Sequence, residues 1–205
     1  LSDEQPTTVD TSKETSSDAK DDSNSEKSFG LTQKTADGTI LQCFSWSFNT
    51  IKDSLEDIAL AGYSTIQTSP VNACYNGGDA GIDLNGSGKW YYHYQPTDWT
   101  IGNYQLGTKE EFKSMCEEAD KYGIKVIVDV VPNHTTKSTE ALGEGLLNAV
   151  GGIDNLYHKK GKDEVSNYND RGECTHQAVG GLFDVNTENI AFQNYFINYM
   201  NECIA

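Results

Sequence analysis

The sequence predicts an α/β fold built from parallel β-α-β units. Strand-like apolar runs alternate with amphipathic helical patterns from about Ile40 onward, and this alternation is typical of parallel sheets with crossover helices. The strongest run, residues 126–131, is β-branched except at Asp129 and predicts a strand buried on both faces. Because Asn133 and His134 follow it, polar chemistry is expected at the C-terminal end of this strand.

The first strand is predicted at 40–46 and the first helix at 51–61. Thr50 would begin that helix as the N-cap of an acidic variant of the capping box, and Gly62 would end it. The second strand is predicted at 63–68. A long loop rich in Gly, Asn and Tyr is expected over 71–107, and loops of that length usually bind something.

A second helix is predicted from the capping pair Thr108 and Glu111 to Gly123. Its apolar stripe consists of Phe112, Met115, Cys116, Ala119 and Tyr122. Residues 133–184 hold several glycines and no long periodic pattern. A last helix is expected to open near Thr187, with Ile190, Phe196 and Cys203 on its apolar side.

Composition restricts the class of partner. The net charge of −16 disfavours nucleic acid and anionic membranes as partners and suits neutral substrates. No stretch approaches the roughly 20 apolar residues of a membrane helix, so membrane insertion is not expected. The five cysteines show no metal-ligand spacing and are interpreted as small buried hydrophobes, with a bridge between Cys74 and Cys174 left open.

Residues 1–28 are rich in Ser, Thr and acidic side chains and almost free of large apolar ones, which predicts a disordered linker. The chain begins with Leu1, and a polar tail ahead of the folded part suggests that a signal peptide precedes the numbering.

Several segments together resemble the α-amylase family of glycoside hydrolases. Residues 124–134 are similar to the family's first signature region on its third strand, 40–46 and 62–71 to its first two strands, and 181–186 to its fifth signature region. Residues 90–96 and 101–107 resemble the bacterial, Bacillus subtilis-type branch.

The resemblance implies the N-terminal part of a (β/α)8 TIM barrel, with strands 1–3 and helices 1–3. It places the first part of the barrel at 29–132, an inserted small domain at 133–184 and helix 3 at 185–205. A complete barrel needs about 250 residues. The family's catalytic Asp, Glu and Asp lie on later strands, and the nucleophile's Gly-x-Arg-x-Asp pattern does not occur here. We therefore expect a fragment that does not hydrolyse glucan alone.

The resemblance also implies which residues bind sugar. Tyr94 would stack near the cleavage subsite, Gln95 would hydrogen-bond beside it, Tyr91 would serve the adjacent sugar, and His134 would hydrogen-bond the sugar whose bond breaks. Taken alone, an aromatic run of this kind more often reflects loop packing than sugar binding. Asp129 would orient neighbours, and without the family's strand-four arginine it is expected to be unpaired.

For calcium, the resemblance implies the side chains of Asn133 and Asp184 and the backbone carbonyl of Thr175, with a fourth ligand beyond residue 205. Residues 81–90 contain Asp, Asn and Gly as in a calcium loop, but they fail the EF-hand pattern and are interpreted as a flexible loop at the substrate rim. His93, His158 and His176 show no metal spacing and receive no role.

The function implied is that of a secreted, extracellular, calcium-stabilised endo-acting α-amylase, monomeric when complete. It would hydrolyse the α-1,4-glucosidic bonds of starch or glycogen with retention of configuration. Two alternatives stay open. One is a maltogenic or transglycosylating relative of the same family, and the other is a non-catalytic glucan-binding protein that uses Tyr91, Tyr94 and neighbouring rings.

Overall fold

The computed structural model describes residues 29–77 and 89–205. The predicted linker at 1–28 lies outside the described residues, as does nearly all of the loop at 81–90. The strands are β1 (Ile40–Cys43), β2 (Thr65–Thr68), β3 (Asn72–Cys74), β4 (Pro96–Ile101), β5 (Lys125–Val128), β6 (His134–Thr135) and β7 (Phe183–Asp184). The α-helices are α1 (Phe48–Leu60), α2 (Lys109–Lys121), α3 (Glu144–Val150), α4 (Ile153–Leu156), α5 (Arg171–His176) and α6 (Ile190–Ile204).

A parallel three-stranded sheet in the order β1-β2-β5 confirms the predicted α/β class. Ile40 pairs with Thr65, and Thr65 pairs with Lys125, so the three strands run side by side and end at one edge. The first strand ends at Cys43, three residues earlier than predicted. A turn follows it, in which Ser45 has φ 61° and the Trp46 amide donates to the Cys43 carbonyl.

The third predicted strand is shorter and less buried than its sequence indicates. β5 covers four residues, all of intermediate exposure, so the expected burial on both faces is wrong. Within residues 29–77 and 89–205, β5 pairs on one side only, with β2. A β-branched run identifies a strand, but its burial depends on neighbours that the run does not encode.

Helix α1 begins at a different residue from the one predicted. Its N-cap is Ser47, whose hydroxyl accepts from the Thr50 amide at 3.1 Å, so the capping box at Thr50 is wrong. The capping box of α2 is confirmed, because Thr108 accepts from the Glu111 amide while the Glu111 carboxylate accepts from the Thr108 amide.

Helices α1 and α2 both end in a Schellman motif at the predicted glycine. Gly62 and Gly123 have φ of 87° and 70°, which side chains with a Cβ rarely adopt. In each motif the glycine amide and the next amide donate to carbonyls of the last helical turn. These stops turn the chain directly into β2 and β5.

The region 71–107, predicted as a loop, contains an antiparallel pair of strands, β3 and β4, that the sequence pattern did not predict. Asn103 stabilises it, because its side-chain amide donates to the carbonyls of Pro70 and Asn72. Its side-chain oxygen accepts from the amides of Gln105 and Leu106. Hydrogen bonds from a polar side chain of this kind stabilise a strand pair without leaving an alternating apolar pattern in the sequence.

Residues 133–184 are called here the inserted segment, and their boundaries stay a prediction. Strands β6 and β7 pair antiparallel at its two ends, with His134 opposite Asp184. Three short helices, α3, α4 and α5, lie between them. Leu146 and Leu156 are fully buried and join the same apolar core as α1 and α2.

Helix α6 confirms the last helix predicted from the sequence, but it does not confirm every residue predicted on its apolar side. It begins after the N-cap Asn189 and buries Phe192 and Tyr199. Phe196 and Cys203 pack partly against the core, whereas Ile190 is 65% exposed and its placement on the apolar side is wrong.

The cysteines only partly follow the predicted burial, since Cys43 is buried and Cys174 is exposed. Cys74 and Cys174 are both free, so the bridge left open between them is not formed. Within the part of the chain that the structure describes, every helix is too short or too polar to cross a membrane.

Candidate functional site

Tyr94 and Asp129 meet at the C-terminal edge of the parallel sheet. Asp129 directly follows β5, and Tyr94 ends the 3-10 helix Trp90–Tyr94. The Tyr94 hydroxyl donates to Oδ2 of Asp129 at 3.0 Å. Burial and the Asp129 carboxylate raise the pKa of Tyr94 to about 12, so the phenol stays protonated as a donor at neutral pH. The expectation of an unpaired Asp129 is therefore wrong, because Tyr94 supplies a partner from within the chain.

His134 is fixed to the same tyrosine through the backbone. Its Nε2 lies 2.9 Å from the Tyr94 carbonyl, which can only accept, so Nε2 carries the proton. Nδ1 can then accept from the side-chain amide of Asn133, at 3.4 Å. Burial lowers the pKa of His134, although the bond to Tyr94 and the charge of Asp184 partly oppose this. The imidazole is thus held neutral and in one tautomer at neutral pH.

The other two predicted sugar-binding residues lie next to this network. Gln95 follows Tyr94, and its side-chain oxygen accepts from the Thr136 hydroxyl at 3.3 Å. Tyr91 is 43% exposed and its ring contacts Trp90, which is 52% exposed. The ring of Trp90 in turn lies 6.4 Å from that of Tyr94. Exposed rings of this kind offer flat apolar faces to the C–H face of a sugar.

Two aromatic residues at this rim were not selected from the sequence. Phe44 follows β1 and is 37% exposed, and its ring lies 6.1 Å from that of Trp90. Trp90 belongs to the same aromatic run as Tyr91, and that run alone is enough to select it as a candidate sugar-binding residue. Phe44 could have been found from its position directly after a strand of the parallel sheet.

Asn133 and Asp184 are brought together by the pairing of β6 with β7. The Val185 amide donates to the Asn133 carbonyl at 3.0 Å and His134 pairs with Asp184, so the two candidate calcium ligands lie on neighbouring strands, offset by one residue in register. Asp184 is only 3% exposed. Burial raises the pKa of its carboxyl, while a hydrogen bond from His158 opposes the rise. A buried carboxylate beside an amide oxygen fits a hard cation such as Ca²⁺, which prefers oxygen ligands.

Thr175 is connected to this pair less directly. It lies in the last turn of α5, where backbone carbonyls lack N–H donors within the helix. The next residue, His176, places its ring 4.4 Å from the ring of His158. His158 donates from Nδ1 to Oδ2 of Asp184 at 2.6 Å. The structure thus brings α5 to the Asp184 side of the ribbon, as a carbonyl ligand from Thr175 requires.

The three histidines without a predicted role are not equivalent. His93 is fully buried, and burial lowers its pKa to about 4. His158 and His176 lie beside Asp184, although they are far apart in the sequence. Sequence spacing could not reveal this contact, because the turns between β6 and β7 create it.

The arrangement can hold and orient a polyhydroxylated ligand. Exposed rings provide stacking, while Gln95 and His134 provide polar contacts at the sheet edge where βα loops converge. Asp129 accepts from Tyr94, and this hydrogen bond fixes the position of the Tyr94 hydroxyl group.

Comparison with known proteins gives a consistent result. Residues 27–190 match the family described as "Alpha amylase, catalytic domain". The chain is 55% identical over 169 residues to an alpha-amylase of Butyrivibrio fibrisolvens, covering 82% of this chain and 17% of that protein. It is 38% identical over 177 residues to an alpha-amylase of Clostridium acetobutylicum, covering 85% of this chain and 22% of that protein. The chain thus spans less than a quarter of the length of either relative.

Solved structures agree on the fold. Alpha-amylase I of the worm Eisenia fetida has a TM-score of 0.66 at 22% identity, covering 82% of this chain and 35% of that one. The Anoxybacillus alpha-amylase has a TM-score of 0.63 at 22% identity, covering 82% and 39%. The resemblance to the Bacillus subtilis-type branch stays a prediction. The chain belongs to the α-amylase family, and its described residues form part of the N-terminal region of that family's (β/α)8 catalytic domain.

Proposed function

We propose that this chain forms the substrate-binding rim of a secreted, endo-acting α-amylase that hydrolyses α-1,4-glucosidic bonds of starch or glycogen with retention. The observation that carries the proposal is the network of Tyr94, Asp129 and His134 at the C-terminal edge of the sheet. Active sites of (β/α)8 enzymes lie at this edge. Family membership adds α-glucans as the substrate class, since both curated relatives are alpha-amylases.

In this proposal each rim residue has a distinct task. Tyr94 stacks on the sugar at the cleavage position, held in place by its bond to Asp129. Tyr91 packs against the adjacent sugar, and Gln95 hydrogen-bonds to a hydroxyl group. His134 donates from Nε2 to the sugar whose bond breaks, so a sugar hydroxyl must share or replace the Tyr94 carbonyl as acceptor. A bond of this kind strengthens as the ring distorts toward the oxocarbenium-like transition state.

A calcium ion is proposed to join the inserted segment to the sheet. Asn133 and Asp184 would supply side-chain oxygens, and Thr175 would supply its backbone carbonyl. The ion's contribution is structural, because it offsets the buried charge of Asp184 and ties α5 to the β6–β7 ribbon. The boundaries 29–132, 133–184 and 185–205 are proposed as the corresponding parts of the catalytic domain.

Hydrolysis is proposed to need carboxylates that these 205 residues do not supply. A retaining glycosidase uses one carboxylate as nucleophile and another as acid and base. No Gly-x-Arg-x-Asp segment occurs in the sequence. We therefore expect the 205-residue chain alone to bind glucan without cleaving it.

The exposure of Trp90 and Tyr91 also favours a second candidate, a glucan-binding protein without catalysis. The two candidates separate in a polypeptide that extends this chain through a complete catalytic domain. Internal cleavage of amylose to products of retained configuration supports the enzyme. Amylose binding without any cleavage supports the binding protein.

In that longer polypeptide, His134→Ala should lower kcat on starch by roughly 100-fold while KM changes little, because the bond acts mainly in the transition state. Tyr91→Ala should instead weaken binding and raise KM. Tyr168→Ala is the matched control, since Tyr168 is a 67% exposed aromatic residue of the inserted segment. Equal effects of His134→Ala on kcat and on starch binding would contradict the role of His134.

A further inference from the structure

A cluster of two histidines and one glutamate lies where the end of α5 approaches the residues that follow β7. It consists of His158, His176 and Glu188, whose nearest ligand atoms all lie within 4.8 Å of one another. Nε2 of His176 and Oε1 of Glu188 are 4.0 Å apart. Nitrogen and oxygen ligands of one Zn²⁺ ion, at bond lengths near 2 Å, lie roughly 3 to 4 Å apart. Glu188 is 78% exposed at its side chain, so its carboxylate is free to change rotamer and approach the histidines.

Both imidazoles are held in the tautomer that a metal requires. His158 donates from Nδ1 to the Asp184 carboxylate at 2.6 Å. His176 places Nδ1 at 3.1 Å from the Gly172 carbonyl, which can only accept, so this nitrogen is also protonated. In each ring the lone pair therefore lies on Nε2. A ring nitrogen bonded to a carboxylate or carbonyl, with the other nitrogen free, is the usual arrangement of histidine ligands.

The Nε2 atom of His158 provides an independent indication. The His158 side chain is 8% exposed, and Nε2 makes no hydrogen bond to any residue within 29–77 and 89–205. A buried polar atom without a partner costs free energy, so such atoms are rare in folded proteins. A ring nitrogen of His158 lies within 4.8 Å of ligand atoms of the other two members of the cluster.

We propose that His158, His176 and Glu188 form a binding site for a zinc-type transition-metal ion. His158 and His176 coordinate through Nε2 and Glu188 through its carboxylate, leaving a fourth position to water. Asp184 orients His158 without touching this ion. The site connects helix α5 to the residues that follow β7. It is distinct from the oxygen-ligand calcium site.

The donor set separates the two ions. Imidazole nitrogen suits Zn²⁺ and its neighbours in the transition series, whereas Ca²⁺ takes oxygen ligands. The cleft at this place is also lined by Lys159 and Lys160, which oppose a cation, and by Asp170 and Glu173, which favour one. With Glu188 added, the three acidic side chains Asp170, Glu173 and Glu188 outnumber the two lysines around the cluster.

The test is Zn²⁺ binding to the full 205-residue chain by titration calorimetry, with saturating CaCl₂ present to occupy oxygen-ligand sites. All variants carry Cys174→Ser, which removes an exposed thiol that could bind zinc by itself. His176→Gln and Glu188→Gln should each weaken Zn²⁺ binding at least tenfold. Glu140→Gln, which changes an exposed glutamate of the inserted segment, is the matched control and should bind like the parent.

A second readout uses Co²⁺ as a spectroscopic probe. The parent should show the visible absorption of a four-coordinate ion with nitrogen and oxygen ligands, and His176→Gln should lose it. Equal Zn²⁺ affinity in the parent and in His176→Gln, or displacement of Zn²⁺ by Ca²⁺, would overturn the proposal. Neither readout involves glucan cleavage, so the zinc site and the proposed enzymatic function can fail separately.

Discussion

The sheet with helices α1 and α2 and the inserted segment are stabilised in different ways. The first region buries apolar side chains between helices and sheet, among them Phe48, Leu55, Ile66 and Met115. The outer part of the inserted segment instead uses carboxylates that bind backbone amides. Glu164 accepts from Gly180 and Gly181, and Glu173 accepts from Ser166 and Asn167.

This contrast shows where sequence patterns carry structural information. Apolar burial at helical spacing leaves a periodic signal, which can be read without knowledge of the fold. A carboxylate that gathers amides from another stretch of chain leaves no such signal. The two regions should therefore respond differently to apolar and to charge-removing substitutions.

The largest expected effect is that of Leu55→Ala in α1. Leu55 is fully buried, so the substitution should lower the free energy of unfolding by about 3 kcal/mol through lost burial and a residual cavity. Chemical denaturation measures it. Leu60→Ala in the same helix is the control, since Leu60 is 68% exposed and its truncation should cost far less. Similar losses in both variants would contradict the claim that burial stabilises this region.

A smaller effect is expected at the start of the same helix. Ser47→Ala removes the hydroxyl that accepts from the Thr50 amide and should cost about 1 kcal/mol of unfolding free energy. Thr50→Ala, at the position that the sequence predicted as the cap, should cost less. A larger loss at Thr50 than at Ser47 would restore the prediction made from the sequence.

The smallest effect, confined to the inserted segment, is expected for Glu173→Gln. Hydrogen bonds from Asn167 and Ser166 lower the pKa of Glu173, so the folded state favours its charged form. The stabilisation is complete above the ordinary glutamate pKa and is lost as pH falls through the lowered value. The amide resonances of Ser166 and Asn167 should therefore titrate with a midpoint below 4.5, the ordinary value.

In Glu173→Gln this titration should vanish, and amide exchange at Ser166 and Asn167 should accelerate severalfold. Glu140→Gln should leave both amides unchanged. A midpoint at the ordinary glutamate value would show that these hydrogen bonds contribute little in solution.

Much of the fold could be predicted from local signals. The capping box at Thr108 and the stops at Gly62 and Gly123 were read correctly, because each depends on side chains or φ values within one turn. The N-cap Ser47 was missed, since Ser47 and Thr50 both offer a hydroxyl, and the choice depends on where β1 ends. Ile190 was misplaced because α6 buries Phe192 and Tyr199, and this face is set by packing against α3 and β4.

The candidate site was predictable only where a family motif covers it. Tyr94 and His134 lie in such motifs, and the structure joins them through a backbone hydrogen bond that no pattern indicates. The hydrogen bond between Tyr94 and Asp129 could not be predicted from the sequence either, since 35 residues separate them. His158 and His176 were dismissed for their spacing, although the fold brings their rings within 4.4 Å.

The β6–β7 ribbon has a consequence for how this protein tolerates changes in length. It holds both ends of the inserted segment together through the pairs His134 with Asp184 and Thr135 with Phe183. The entropy of closing a loop grows only with the logarithm of its length. Residues added to or removed from its exposed turns, away from the buried Leu146 and Leu156, therefore change little at its base, and the geometry of the rim depends little on the length of those turns.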